Sequence, residues 1–116
     1  MITVYGIPNC DMIRKTTKWL EKHRVAYTFH DYRKEGISKE KLKAWCTQAG
    51  WETLFNKRST TWKELDPALQ ATATNENAAI KIMAEHYTII KRPVVEKKGK
   101  IVTVGFNEDA LLKIKA

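Results

Sequence analysis

Cysteine is scarce in this chain. Only Cys10 and Cys46 occur in 116 residues, too few and too far apart for a disulfide framework. No CxxC, CxxxxH or HExxH spacing is found, and the three histidines (His23, His30, His86) are scattered, so no metal site is expected. No apolar run nears the ~20 residues that cross a bilayer, and no membrane partner is expected. The opening Met1-Ile2-Thr3-Val4-Tyr5 has no basic stretch ahead of an apolar one. A secretory signal is therefore not expected, and a cytoplasmic location is. With five glycines and three prolines, Gly/Ser linkers, low-complexity tracts and repeats are missing. Residues 1–116 read as a single domain.

The composition that remains is 43% hydrophobic and 29% charged, that of an ordinary folded protein with enough apolar side chains for a core. The formal net charge is +8. Such a surplus suits anionic partners. Its lysines and arginines are nevertheless spread along the chain and not interleaved with aromatics, so a solvated basic surface is expected and no nucleic-acid partner.

Ile2 to Tyr5 is β-branched and aromatic and is closed by Gly6 and Pro8, which reads as a short strand. A helical pattern follows from about 11 to 23, with Ile13, Thr17 and Leu20 on one face. Val25, Tyr27 and Phe29 alternate with Ala26, Thr28 and His30, a second strand. Strand, helix and strand with short connections form a βαβ unit with parallel strands. The middle is helical: Ser38 caps a helix bearing Leu42, Trp45, Cys46 and Ala49, and Gly50 stops it. Thr61-Trp62-Lys63-Glu64 has the form of a capping box, and Asp66-Pro67 opens another helix. Ala79, Ile82, Met83 and His86 mark a further helical face. Two short apolar runs, Val94-Val95-Glu96 and Ile101-Val102-Thr103-Val104, flank Lys98-Gly99 as a hairpin. Asn107 caps a last helix, with Glu108 and Asp109 early and Lys113 and Lys115 late. One mixed four-stranded sheet with helices packed on it satisfies this order.

Cys10 is the residue with the most chemistry in its setting. It follows the Gly6-Ile7-Pro8-Asn9 loop and precedes a helix. A thiol at a helix N-terminus faces unpaired N–H groups and the positive end of the helix dipole, which favour the reactive thiolate. Arg14 and Lys15, about one turn on, add positive potential. From its residues alone the position also fits a small buried side chain after a strand. Cys46 shares its face with Leu42 and Trp45 and reads as an inert core residue. Arg92-Pro93 opens the hairpin; either a trans or a cis bond is compatible with a proline there. Arg58 lies in a polar loop, where a guanidinium either faces water or grips an oxyanion.

Taken together, Tyr5-Gly6-Ile7-Pro8-Asn9-Cys10, Asn56-Lys57-Arg58, Lys91-Arg92-Pro93 and Gly105-Phe106-Asn107 resemble the ArsC/Spx family, in particular its YffB-like branch. The resemblance implies an α/β fold, a thioredoxin/glutaredoxin-like mixed four-stranded sheet spanning about 1–35 and 87–116, with a helical insertion at about 36–86. It also implies that Cys10 is the nucleophile and that Pro93 is a cis proline beside it. Asn9, Arg14, Arg58, Arg92 and Pro93 are implied to hold the substrate or glutathione.

Two departures choose among the family's activities. The second cysteine of dithiol members would stand where Ile13 does, so an outside thiol must resolve a mixed disulfide on Cys10. No arginine follows Arg92, which disfavours the arsenate chemistry of glutaredoxin-linked members. The expectation is a monothiol reductase, a monomer with no bound cofactor. Glutathione is its co-substrate, glutathione or a glutaredoxin-type thiol its donor, and a disulfide or oxyanion its substrate. The alternatives are an arsenate reductase and a Spx-like regulator that docks on RNA polymerase without catalysis.

Overall fold

The computed structural model describes residues 1–115. Ala116 and the side chain of Lys115, which was expected to place a cation in the last turn, lie outside the described residues. In chain order the elements are β1 (Ile2–Gly6), α1 (Asp11–Lys22), β2 (Tyr27–Asp31), α2 (Tyr32–Glu35), α3 (Lys39–Ala49) and α4 (Trp51–Leu54). They continue with α5 (Thr60–Glu64), α6 (Pro67–Ala71), α7 (Glu76–Glu85), a 3-10 turn (Tyr87–Ile89), β3 (Val94–Lys97), β4 (Lys100–Val104) and α8 (Glu108–Lys115). Two compact units result: Met1–Glu35 with Arg92–Ala116, and Gly36–Lys91.

The first unit is built on a four-stranded sheet of order β2-β1-β3-β4. β1 runs parallel to β2 and antiparallel to β3, and β3 runs antiparallel to β4. Period-two alternation splits β1 cleanly. Ile2 and Val4, with Val95 of β3, form a core with Ile13, Trp19 and Leu20 of α1 and Leu111 of α8. Both helices therefore cover the same sheet face. Burying each such aliphatic side chain contributes about 1.5–3 kcal/mol relative to leaving it in water. The register pairs Thr3 with Glu96 and Tyr5 with Val94, so those side chains belong to the opposite face.

The β3–β4 turn has positive φ at both Lys98 (52°) and Gly99 (80°), the backbone twist a tight hairpin requires. Asn107 accepts a hydrogen bond from the Ala110 N–H at 3.1 Å and starts α8. On α1 the buried set is Ile13, Thr16, Trp19 and Leu20. Thr17, expected on that face, is only half-buried, while Thr16 is buried; both hydroxyls donate back four residues, to Ile13 at 3.1 Å and to Met12 at 2.8 Å.

In the helical unit Ser38 caps α3 by accepting the Lys41 N–H at 3.1 Å, and Gly50, at φ 85°, ends it. Asp66 and Pro67 open α6 as expected. One expectation fails: the cap of α5 is Ser59, which accepts the Trp62 N–H, and the Thr61–Glu64 pair forms no capping box. Thr61 already lies inside the first turn. The unit also runs to Lys91 rather than about 86, because Ile89 and Lys91 are tied back to it. Ile89 accepts the Asn56 N–H at 2.9 Å, and the Lys91 N–H donates to Leu54 at 2.8 Å.

Candidate active site

β1 ends at Gly6, and from there the chain turns through Ile7, Pro8 and Asn9 to Cys10. A Cβ on Gly6 would collide with Cδ1 of Ile13 and stand 3.9 Å from Cγ of Arg92. Close approach thus favours glycine: an added Cβ would displace the end of the Ile13 side chain, while Arg92 stands at ordinary contact distance.

Cys10 is the N-cap of α1, in extended conformation (φ −121°, ψ 131°), and its carbonyl accepts the Arg14 N–H at 3.0 Å. Its side chain makes no capping hydrogen bond. The sulfur instead is half-buried against the Ile13–Trp19–Leu20 core, at the positive end of a 12-residue helix. Asp11, next along, is exposed and lies 3.7 Å from the Arg14 guanidinium. Such an exposed pair is worth little energetically, but it sets a carboxylate beside the cation expected to serve Cys10. Asp11 escaped the sequence reading, although its adjacency to Cys10 was visible.

Asn9 is exposed, Arg92 half-buried and Pro93 buried. The Arg92–Pro93 bond is cis. The Pro93 carbonyl accepts the Gly105 N–H at 2.7 Å, which links Arg92-Pro93 to Gly105-Phe106-Asn107. Cys10, Asn9, Arg14, Arg92 and Pro93 thus fall in the sheet unit. Arg58 falls in the helical unit, where it is exposed and its N–H donates to Oδ1 of Asn56 at 3.0 Å.

Cys46 is 4% exposed. Burial above all, with help from the Glu76 carboxylate and against the pull of Lys43, pushes its thiol up to about 11. It stays protonated at neutral pH and is no nucleophile. Among the described residues no group of three or more His, Cys, Asp or Glu side chains could hold a metal ion. Among the same residues no helix is long and apolar enough to cross a membrane.

A polar cluster on the far face of the sheet was not foreseen. The Tyr5 hydroxyl donates to Oε1 of Glu96 at 3.0 Å, both residues being buried. The Tyr5 ring lies 4.7 Å from that of His30 and 6.4 Å from that of Tyr32. Burial pushes the Tyr32 phenol up strongly; Tyr5 and Glu96 push the same way, and the Arg92 guanidinium pulls it down. A carboxylate following two valines within a strand was the available signal.

The ArsC family model matches residues 5–114. The solved structure of a YffB protein is 42% identical and superposes with a TM-score of 0.93 over 100% of both chains. That of an arsenate reductase (ArsC) related protein from Brucella melitensis is 38% identical, with a TM-score of 0.75, covering 97% of this chain and 92% of that one. The global transcriptional regulator Spx of Streptococcus agalactiae is 30% identical over 113 residues, 96% of this chain and 80% of the regulator. The sheet is accordingly the thioredoxin-like one that the resemblance implied. Its neighbours include reductase-like proteins and regulators, which supports thiol-based chemistry in general terms. With the family model spanning nearly its whole length, this chain belongs to the ArsC family.

Proposed function

We propose that the chain exchanges disulfides through Cys10 alone, with glutathione or a glutaredoxin-type thiol as the resolving partner. The observation that carries this reading is the half-buried sulfur at the start of α1, paired with Ile13 one turn on. Ile13 is 3% exposed and wedged against Gly6, so packing fills the place where a second thiol would stand. Cys46, buried and protonated, offers no substitute.

In the proposed cycle the Cys10 thiolate attacks one sulfur of a disulfide. A Cys10–S bond forms as the substrate S–S bond breaks, and the departing thiolate takes up a proton. A glutathione thiolate then attacks the mixed disulfide, expels Cys10 as thiolate and leaves joined to the other sulfur as a new disulfide. Asn9, Arg14, Arg58, Arg92 and Pro93 are assigned to the anionic partner by resemblance to the family, and each of the three arginines has a guanidinium able to pair with a carboxylate through two hydrogen bonds. Turnover of a glutathione mixed disulfide in the presence of glutathione tests the reading. Activity lost in Cys10→Ser is expected; no turnover above background in the unaltered protein would remove it.

The 30% identity with Spx favours a second reading, a regulator that binds RNA polymerase. Ile13 excludes a local dithiol switch from it. Capture of polymerase subunits equally well by Cys10→Ser would favour regulation over catalysis.

A further inference from the structure

We infer that Asp11 is a specificity-determining residue for the exchange at Cys10: its carboxylate selects disulfide partners that bring a positive group beside the sulfur and disfavours those that bring negative charge alone. The inference rests on the reading of Cys10 as the reactive thiol.

Asp11 is the first residue of α1 and follows Cys10 directly. Consecutive Cα atoms are about 3.8 Å apart, which with two short side chains keeps the carboxylate within about 10 Å of the sulfur in any rotamer. Charges that close still feel one another at 0.1 M salt, where the screening length is about 10 Å. Residues 1–20 contain no other acid. Along β1, the loop and most of α1, Asp11 alone therefore opposes the cations Arg14, Lys15 and Lys18.

The Asp11 side chain is 92% exposed, so an approaching group can reach it. Its Oδ1 lies 3.7 Å from the guanidinium of Arg14, which is itself 58% exposed. That separation exceeds the roughly 2.7–2.9 Å of a charge-assisted hydrogen bond and leaves both groups free to turn toward a ligand. The start of α1 thus has two poles beside the thiol. A partner carrying an ammonium and a carboxylate, as glutathione does, satisfies Asp11 and Arg14 together. A carboxylate alone must compete with Asp11 for the guanidinium.

An acid in the first turn also complements the helix dipole, a role that needs no ligand. The two roles predict different behaviour. A purely structural Asp11 alters the reaction of Cys10 with every disulfide alike. A selecting one alters it according to the charge of the partner.

Three small aliphatic disulfides separate these in the full-length protein: cystamine, with two ammonium groups, uncharged hydroxyethyl disulfide, and dithiodipropionate, with two carboxylates. In each reaction the Cys10 sulfur bonds to one half of the probe, and the other half takes up a proton and leaves as a thiol. Mass spectrometry follows the mixed disulfide. The quantity of interest is the ratio of cationic to anionic rate, from which any change in the sulfur's own reactivity cancels. Asp11→Asn is expected to lower this ratio roughly 3- to 10-fold, and Asp11→Glu, which restores the charge, to keep it near that of the unaltered protein. A ratio unchanged or raised in Asp11→Asn, or lowered equally in Asp11→Glu, overturns the inference and leaves Asp11 a residue of the helix alone. Should hydroxyethyl disulfide modify the unaltered protein no faster than Cys10→Ser, the reading of Cys10 as the reactive thiol fails instead.

Discussion

A thiol becomes a nucleophile only when its sulfur is reachable, and the two cysteines differ in burial. Cys10 caps a 12-residue helix and is half-buried. Cys46 sits among Leu42 and Trp45, its thiol raised from an ordinary 9.0 to about 11. This difference has a pH consequence. Below about pH 9 the Cys46 thiol is protonated in both folded and unfolded chains and contributes no pH dependence. Above it the unfolded thiol loses its proton while the folded one holds on, so stability falls as pH rises toward about 11. Urea midpoints measured between pH 8 and 10.5 should fall less steeply in Cys46→Ala than in the unaltered protein. Parallel slopes would contradict the burial argument. Tyr27 and Tyr32, whose phenols are also raised, chiefly by burial, leave a residual slope in both proteins.

At the scale of elements, the strand–loop–helix passage from β1 to α1 depends on one close approach. Gly6→Ala drives a methyl group into the Ile13 side chain. Overpacking of this kind costs about 1–3 kcal/mol, and at about 4–8 °C per kcal/mol the melting temperature should drop accordingly. Cys10 should react more slowly as the loop is displaced; unaltered stability and rate would show that Ile13 yields freely. Asn107→Ala provides a contrast. It removes the cap hydrogen bond of α8 and should cost about 1 kcal/mol with no change in thiol reactivity.

These elements were also where the sequence was most legible. Pro8-Asn9 before Cys10, Lys98-Gly99 between the last strands and Asn107 before α8 each act through local backbone chemistry, which neighbouring residues suffice to reveal. The Tyr5–Glu96 hydrogen bond joins positions 91 residues apart. No local pattern encodes it, since it arises only when β1 and β3 pair. The Ser59 cap was hard to place because Ser59, Thr60 and Thr61 all have capping side chains, and Ser59 is the one that accepts the Trp62 N–H. The cis state of Arg92–Pro93 was likewise open in the dipeptide itself and followed only from the resemblance. The local devices around Cys10 were therefore readable, while the far-face cluster was not.

The whole molecule carries a formal net charge of +8, a long-range field that favours encounter with anions and is screened by salt. The reaction of Cys10 with an anionic disulfide should slow as ionic strength rises from about 0.02 to 0.5 M, while that with an uncharged disulfide should stay nearly level. Equal salt dependence for both would show that the basic surface plays no part in reactivity. The division into a sheet unit and a helical unit also separates the arginines, Arg14 and Arg92 in the first and Arg58 in the second. The three substitutions to Ala can therefore be compared for their effect on the anionic probe. The most direct measurement is the rate at which each cysteine is alkylated by iodoacetamide at pH 7, with the site identified by mass spectrometry. Cys10 should be modified at least about tenfold faster than free glutathione and far ahead of Cys46. Modification of Cys10 no faster than that of Cys46 would contradict a reactive thiol at the head of α1.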